Sequence, residues 1–288
     1  MEELLKIYHK NFPNNIRDEN TVKKIFGDSN NYIIQKRNNN ELIAVSVINK
    51  DTIIMLCVNK EYRNKGIGTD LLNQSETYVL NNGFNKINVG VGFDYLTPGV
   101  PINADNIVFF TKRGYINSWG DIECFDMNMK LEDFNYNDYK IGDSINGVIY
   151  KWASYSDINQ IIDCTDDACQ YQDEKFSKYY KNPKLYEERN NERVIIAIKN
   201  NQVVGCIMVC FETEGKGIGS VGCTAVRFSQ THHKIGTNMV MIGTKCLKDA
   251  GLIYGHLGYT YTGLDKMYGY SGYKITVKYM MAEKSLLD

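Results

Sequence analysis

The chain has 288 residues, 43% of them hydrophobic and 23% charged, with a formal net charge of -1. That length accommodates two ordinary domains with cores of their own. The balanced charge offers no basic excess for nucleic acid as a main partner, and no apolar stretch approaches the roughly 20 residues of a membrane-spanning helix. Met1-Glu2-Glu3 does not open a signal peptide, so a cytoplasmic location is expected.

Taken in chain order, Glu2 to Tyr8 and Asn20 to Phe26 read as helices, followed by strands near 31–36, 41–48 and 52–58. The third of these, Ile53 to Val58, is an unbroken apolar run that suits a buried strand. Arg63-Asn64-Lys65-Gly66-Ile67-Gly68-Thr69 comes next, and then a helix with Leu71, Leu72, Tyr78 and Val79 on one face and Asn81-Asn82-Gly83 as its stop. A strand, a two-glycine loop and a helix start form an anion cradle. Backbone N–H groups point outward there, and glycine lets a phosphate come close. The polar stretch Leu131 to Asn146 lacks periodicity and reads as a connector. Beyond it come a strand near Val148–Trp152, a helix from Ser156-Asp157, and strands near 193–198, 202–211 and 219–226.

The two halves repeat one another. Val58 is followed by Thr69 eleven residues on and by Gly83 fourteen further, and Val226, Thr237 and Gly251 keep the same spacing. In that register Gly90 falls against Gly258, and Gly114-Tyr115 against Gly272-Tyr273. Gly83 to Gly114 spans 31 residues and Gly251 to Gly272 spans 21, so the first copy carries ten extra, around Asp94 to Pro101. The chain is therefore expected to be a tandem duplication: a first domain over 1–131, a connector over 132–146 and a second domain over 147–288.

The eight cysteines, at 57, 124, 164, 169, 206, 210, 223 and 246, form no CxxC pair, and several lie in apolar strand-like runs. They read as reduced thiols in core positions. His232 and His233 are adjacent and not spaced for one helix face, and no metal site is expected.

The order Arg-x-x-Gly-x-Gly after a strand ending in Val58, with Asn103 to Tyr115 downstream, resembles the acetyl-CoA loop and following helix of the GNAT acetyltransferase superfamily. The two-copy layout is similar to that of mycothiol-synthase-like members. The resemblance implies an α/β (α+β) fold of two tandem domains, each a mixed twisted sheet flanked by helices. It implies acetyl-CoA as co-substrate, held in the first copy by Cys57, Val58, Arg63, Asn64, Lys65, Gly66, Ile67, Gly68, Thr69, Asn103 and Phe110. It also implies a backbone N–H near Val58 or Val226 for the oxyanion, and a tyrosine on the later helix to protonate the leaving thiolate.

The copies divide these features. Phe110 stands where the family's tyrosine stands, whereas the second copy has Tyr268 there, the candidate catalytic acid. In the second loop Thr231 replaces the arginine, Lys234 the first glycine and, further on, Tyr261 the asparagine. His232, His233 and Lys234 either offer charge to a pyrophosphate or are solvated loop residues. Tyr95 is a weaker alternative acid. Glu212 and Glu214 are the nearest guesses for a general base. Asp163, Asp166, Asp167, Asp173 and Glu174 form an acidic stretch that either attracts a cationic amine or is a solvated face.

The expected function is transfer of an acetyl group from acetyl-CoA to the primary amine of a small acceptor, cationic or an amino sugar, by a monomer or homodimer. Two alternatives stand beside it: a non-catalytic acetyl-CoA sensor or scaffold, and an acetyltransferase of protein lysines or N-termini.

Overall fold

The computed structural model describes residues 1–15, 17–90, 96–171 and 176–287, with the side chains of Thr213 and Glu214 also outside the description. In chain order its elements are α1 (Glu2–Asn11), α2 (Glu19–Phe26), β1 (Asn31–Asn38), β2 (Glu41–Asn49), β3 (Thr52–Val58), α3 (Ile67–Asn81), β4 (Lys86–Val89), β5 (Val100–Pro101), α4 (Ala104–Thr111), β6 (Ile116–Asn117) and β7 (Cys124–Lys130). They continue with β8 (Ser144–Ile145), β9 (Val148–Trp152), α5 (Ile158–Ala168), β10 (Glu192–Lys199), β11 (Gln202–Gly215), β12 (Ile218–Val226), α6 (Ile235–Asp249), β13 (Tyr254–Tyr261), α7 (Asp265–Gly269), β14 (Lys274–Met280) and β15 (Ala282–Ser285). The expected connector is partly structured, with a single 3-10 turn at Leu131–Asp133 and β8 near its end.

The chain separates into two compact units that do not follow the sequence repeats. Unit 1 comprises Met1–Asp126, Gly258–Thr262 and Thr276–Asp288, and unit 2 comprises Met127–Leu257 and Gly263–Ile275. The contiguous ranges 1–131 and 147–288 drawn from the repeat therefore differ from the compact units. The reason is strand placement. In unit 1 the sheet order is β1-β2-β3-β4-β15-β6, so the last strand of the second repeat lies beside β4. In unit 2 the order is β7-β13-β12-β11-β10-β9-β8, and the strand beside β13 is β7, which ends the first repeat. A repeat pattern records ancestry, whereas a unit records which strand edges found partners.

Each unit is a mixed sheet with helices against it, as the resemblance implied. In unit 1, α3 buries Leu71, Leu72, Ser75 and Val79 on one side. These pack with Ile34, Ala44, Ile48, Ile53 and Ile87. Helices α1 and α2 form a separate cluster in which Leu4, Leu5, Tyr8, Val22 and Ile25 pack on Val45, Val47, Met55 and Cys57. Helix α2 starts where Asp18 accepts the Thr21 N–H at 2.8 Å, satisfying one of the orphan donors of the first turn. In unit 2, α5 lays Ile161 and Cys164 on Val194, Ile196, Val203 and Cys206.

Strand β15 is fastened to unit 1 by its ladder to β4, from Ala282↔Val89 to Ser285↔Lys86. Lys284 reaches Glu76 at 2.9 Å and Lys86 reaches Glu283 at 3.1 Å. Ending the chain after Met281 leaves the edge of β4 unpaired. Hydrogen-exchange mass spectrometry of that variant is expected to show lost protection over 86–89 and 116–117, with 194–209 in unit 2 still protected.

Candidate active site

Two strand–loop–helix cradles are built on the same backbone plan. Strand β3 pairs in parallel with β4 at Thr52↔Asn88 and Ile53↔Val89. Strand β12 pairs with β13 at Ile218↔Tyr254 and Gly219↔Gly255 and runs on to Val226. In unit 2 the two parallel strands part into a wedge beside the N-terminus of α6, and in unit 1 β3 runs on past its pairs with β4 toward the N-terminus of α3.

The connecting loops agree atom by atom. Asn59 N–H donates to Ile43 O, Tyr62 N–H to Asn59 O, Arg63 N–H to Lys60 O and Asp70 N–H to Gly66 O. At the matching places Arg227 N–H donates to Val204 O, Gln230 N–H to Arg227 O, Thr231 N–H to Phe228 O and Asn238 N–H to Lys234 O. Asn64 (φ 60°) and Gly66 (φ 82°) are left-handed, and so are His232 (φ 63°) and Lys234 (φ 61°). The second loop therefore keeps the shape of the first even though Lys234 stands where Gly66 does, at a cost of about 1–2 kcal/mol for a residue with a Cβ. A Cβ on Gly68 would lie 3.3 Å from the Phe109 ring and 3.6 Å from Val58 Cγ2. A Cβ on Gly236 would lie 3.0 Å from Met267 Sδ and 3.6 Å from Val226 Cγ2.

The first-copy residues divide by location. Gly66, with nothing within 4 Å of an added Cβ, and the first turn of α3 at Ile67, Gly68 and Thr69 leave backbone donors at the mouth of the loop. This suits an anion such as a pyrophosphate. Lys65 is exposed, with its Nζ 5.3 Å from the centre of the Tyr62 ring. Arg63 turns toward protein: its Nε donates to Val58 O at 2.9 Å and its guanidinium to Asn11 Oδ1 at 3.0 Å. Thr69 Oγ1 accepts from Arg113, whose guanidinium lies over the Phe109 ring at 4.0 Å. Asn103 caps α4 by accepting the Asn106 N–H at 2.9 Å. Phe110 is in the core, edge-on to Tyr115. Cys57 lies in the α1/α2 cluster, where burial pushes its thiol up to about 12.

The first-copy insertion has a definite role from Leu96 onward, whereas Asp94 and Tyr95 fall outside the described residues. Leu96 is 1% exposed and packs within the α1/α2 cluster, and its carbonyl accepts from Asn15 at 2.6 Å. Thr97 Oγ1 donates to Gly99 O, Gly99 sits against the Met280 carbonyl, and Val100 pairs with Met280. Pro98 and Gly99 press on Gly90 so closely that a Cβ there would lie 2.6 Å from their backbone. The run 96–100 thus crosses the end of β4, and its Leu96 packs with side chains of α1, α2 and β3. In the second copy only Thr262, Gly263 and Leu264 separate β13 from α7.

In unit 2 a cavity of about 230 Å³ lies at the loop, lined among others by Val226, His232, Lys234, Gly236 and Met267. A second, of about 280 Å³, adds Lys199 and His233. Tyr268 follows Met267 on α7, is 5% exposed and lies 6.3 Å, centre to centre, from the Tyr273 ring. Asp167 accepts the Phe228 N–H at 2.7 Å and so steadies the second loop. Asp163 is exposed, and Asp173 and Glu174 lie outside the described residues. Glu212 Oε1 accepts the Gly217 N–H at 3.0 Å. The Glu214 side chain is outside the description. Among the described residues no group of three or more His, Cys, Asp or Glu side chains is placed to hold a metal, and no helix is long and apolar enough to cross a membrane.

Sequence reasoning did not find Tyr180, Cys223, Thr224 or Leu96. Cys223 is a non-glycine residue with φ 49° inside a strand, a feature no composition signal announces.

Comparison with known proteins bears on the first of these cradles and on the fold as a whole. Residues 1–115 match the model of the "Acetyltransferase (GNAT) family", whose members are N-acetyltransferases. The match assigns that segment; over the whole chain the likeness is one of fold. A GCN5-related N-acetyltransferase from Sphaerobacter thermophilus is 12% identical with a TM-score of 0.73, covering 99% of this chain and 92% of its own. A tandem GNAT protein from the clavulanic acid biosynthesis pathway is 11% identical with a TM-score of 0.65, covering 100% and 95%. A GCN5-related glucosamine N-acetyltransferase region in a fungal multi-domain GH3 β-N-acetylglucosaminidase is 17% identical with a TM-score of 0.71, over 98% of this chain. The chain spans only 36% of that fungal protein. No curated protein sequence matches the chain.

Two outcomes follow from the burial. Leu96→Ala is expected to destabilise the protein by about 2–5 kcal/mol in urea unfolding, the range for emptying a filled apolar site. Burial disfavours the thiolate of Cys57 up to about 12 and of Cys246 likewise. Iodoacetamide at pH 8 should therefore leave both unmodified in the folded protein by mass spectrometry and modify all eight cysteines in urea.

Proposed function

We propose that the chain is an N-acetyltransferase that moves acetyl from acetyl-CoA to the primary amine of a small acceptor. Transfer takes place in unit 2, and the first loop holds acetyl-CoA without turning it over. The observation that carries this is the buried run 96–100, whose Leu96 packs against α1, α2 and β3 in unit 1. A cofactor entering over α3 presents its carbonyl from one side, so the amine has to arrive from the other. In unit 1 that side is filled with Leu96 and its neighbours.

In the second wedge the amine nitrogen attacks the thioester carbon, the C–S bond breaks, and the amine proton passes to a base or water. Tyr268 supplies the proton to the leaving thiolate. Phe110 at the equivalent place in unit 1 has no proton to give. The first loop, with Gly66, Gly68 and the N–H groups of Ile67–Thr69, supports phosphate binding. His232 and Lys234 supply positive charge at the second. The exposed Asp163 at the surface of α5 favours a cationic amine. The likeness to a fungal glucosamine N-acetyltransferase region makes glucosamine the first acceptor to try. A cytoplasmic location fits this co-substrate.

Glutamate at Gly68 or Gly236 lies in the first turn of its helix, where negative charge suits the helix dipole but repels a phosphate. Calorimetry with acetyl-CoA is expected to give two sites for the wild type and one for each variant. With glucosamine or spermine as acceptor, thiol release should persist in Gly68→Glu and vanish in Gly236→Glu. Tyr268→Phe should lower kcat by about 10²-fold or more. Loss of turnover in Gly68→Glu alone would move the reaction to unit 1. Two sites without thiol release from any amine would favour a sensor.

A further inference from the structure

A bulge in the second wedge is held open by a buried tyrosine. Met208 pairs with Gly222 and Cys206 with Ala225, so Ile207 on β11 faces two residues, Cys223 and Thr224. Such a bulge takes one residue out of the ladder and re-aims its neighbours. Cys223 sits at φ 49°, a left-handed conformation that a residue with a Cβ adopts only when the surroundings enforce it. The enforcing group is Tyr180, fully buried, whose O–H donates to the Cys223 carbonyl at 2.5 Å. Tyr180 is itself held, because Tyr186 O–H donates to its carbonyl at 2.7 Å. Burial pushes the Tyr180 phenol well up, so it remains a neutral donor.

The planarity of the peptide links that bond to the wedge. Cys223 C=O and Thr224 N–H belong to one trans peptide unit and point in opposite directions. Tyr180 belongs to the cluster with Ile161 and Cys164 of α5, so fixing the carbonyl toward it turns the Thr224 N–H away from α5. The Thr224 side chain lies on the α6 side: its Cγ2 is 3.9 Å from where a Cβ on Gly236 would be, beside Met267 and the cavity. Thr224 Oγ1 is buried and has no hydrogen-bond partner. The bulge also stands beyond the parallel pair Gly219↔Gly255 of β12 with β13.

We infer that Tyr180 is a positioning residue: by holding the Cys223 carbonyl it aims the Thr224 N–H, with the Thr224 hydroxyl beside it, at the oxygen of a thioester carbonyl in the second wedge. This rests on transfer taking place in unit 2. Tyr180 touches neither substrate. Its effect is electrostatic and indirect, through a donor set in place before the negative charge develops.

The test uses the full chain carrying Gly68→Glu, so that acetyl-CoA is bound only in unit 2. Isotope-edited infrared difference spectra of carbonyl-labelled acetyl-CoA report how strongly its C=O is polarised. With Tyr180 present, the bound band is expected at lower wavenumber than in free acetyl-CoA. Tyr180→Phe, which keeps the ring, should return it most of the way to the free position while the calorimetric Kd changes less than threefold. In turnover with glucosamine, kcat should fall at least tenfold with KM for acetyl-CoA nearly constant. Adding Cys223→Gly to Tyr180→Phe lets the backbone take φ 49° without a Cβ, and should recover part of the band shift; it also serves if Tyr180→Phe alone folds poorly. An unchanged band in Tyr180→Phe overturns the inference, as does a loss of binding and melting temperature that Cys223→Gly does not recover. If Gly236→Glu still binds and turns over in the Gly68→Glu background, unit 2 is not the transferase and both readings fall. If Gly236→Glu is inactive and Tyr180→Phe is not, only this one does.

Discussion

Everything else in this protein depends on two parallel strands that pair for a short length and then part. A parallel ladder satisfies both backbones only while the strands stay about 4.8 Å apart. Once β12 leaves β13 beyond Gly219↔Gly255, it offers an edge of N–H and C=O groups to whatever enters. An exposed edge is ordinarily a liability. Here it lies above the N-terminus of a fifteen-residue helix, so the same place can hold an anion and align a carbonyl.

Two strand–loop–helix cradles share this plan, and they differ in what flanks them. In unit 1 the flank is apolar and full: Leu96 lies among side chains of α1, α2, β2 and β3, and Gly90 and Gly99 permit backbone approaches that no other residue would. In unit 2 the chain passes from β13 to α7 in three residues, with nothing to spare for such a run. The loop meanwhile traded glycine for Lys234 without changing shape. The retained left-handed angles at His232 and Lys234 show that the geometry outlasted the residue types that make it cheap.

The strand exchange also bears on stability. Because β15 completes the sheet of unit 1 and β7 lies beside β13 in unit 2, each repeat lacks a strand within its own contiguous sequence. Neither half of the sequence is a self-sufficient module. The charged pairs that fasten β15, at Glu76 and Glu283, are partly exposed and contribute at most about 1 kcal/mol each. The ladder and the buried Ala282 hold the strand in place.

The sequence by itself determined what is local and periodic. Strands near 31–36, 41–48 and 52–58, seen at 31–38, 41–49 and 52–58, the helix after the glycine loop and the matching spacing of the second copy were legible, because a buried strand needs an apolar run and a helix start at a left-handed turn favours glycine. The position of Tyr268 was legible too, by register against Phe110. Three things were decided only by tertiary structure. Long-range pairing put β15 and β7 where they are, since an edge strand's choice of partner leaves no mark in its own residues. Packing against α1 and α2 put Leu96 of the insertion into the core, because the burial of that one apolar residue depends on helices some seventy to ninety positions earlier. The bulge at Cys223 presents its carbonyl to a tyrosine 43 residues earlier, and no local propensity specifies a left-handed cysteine in a strand.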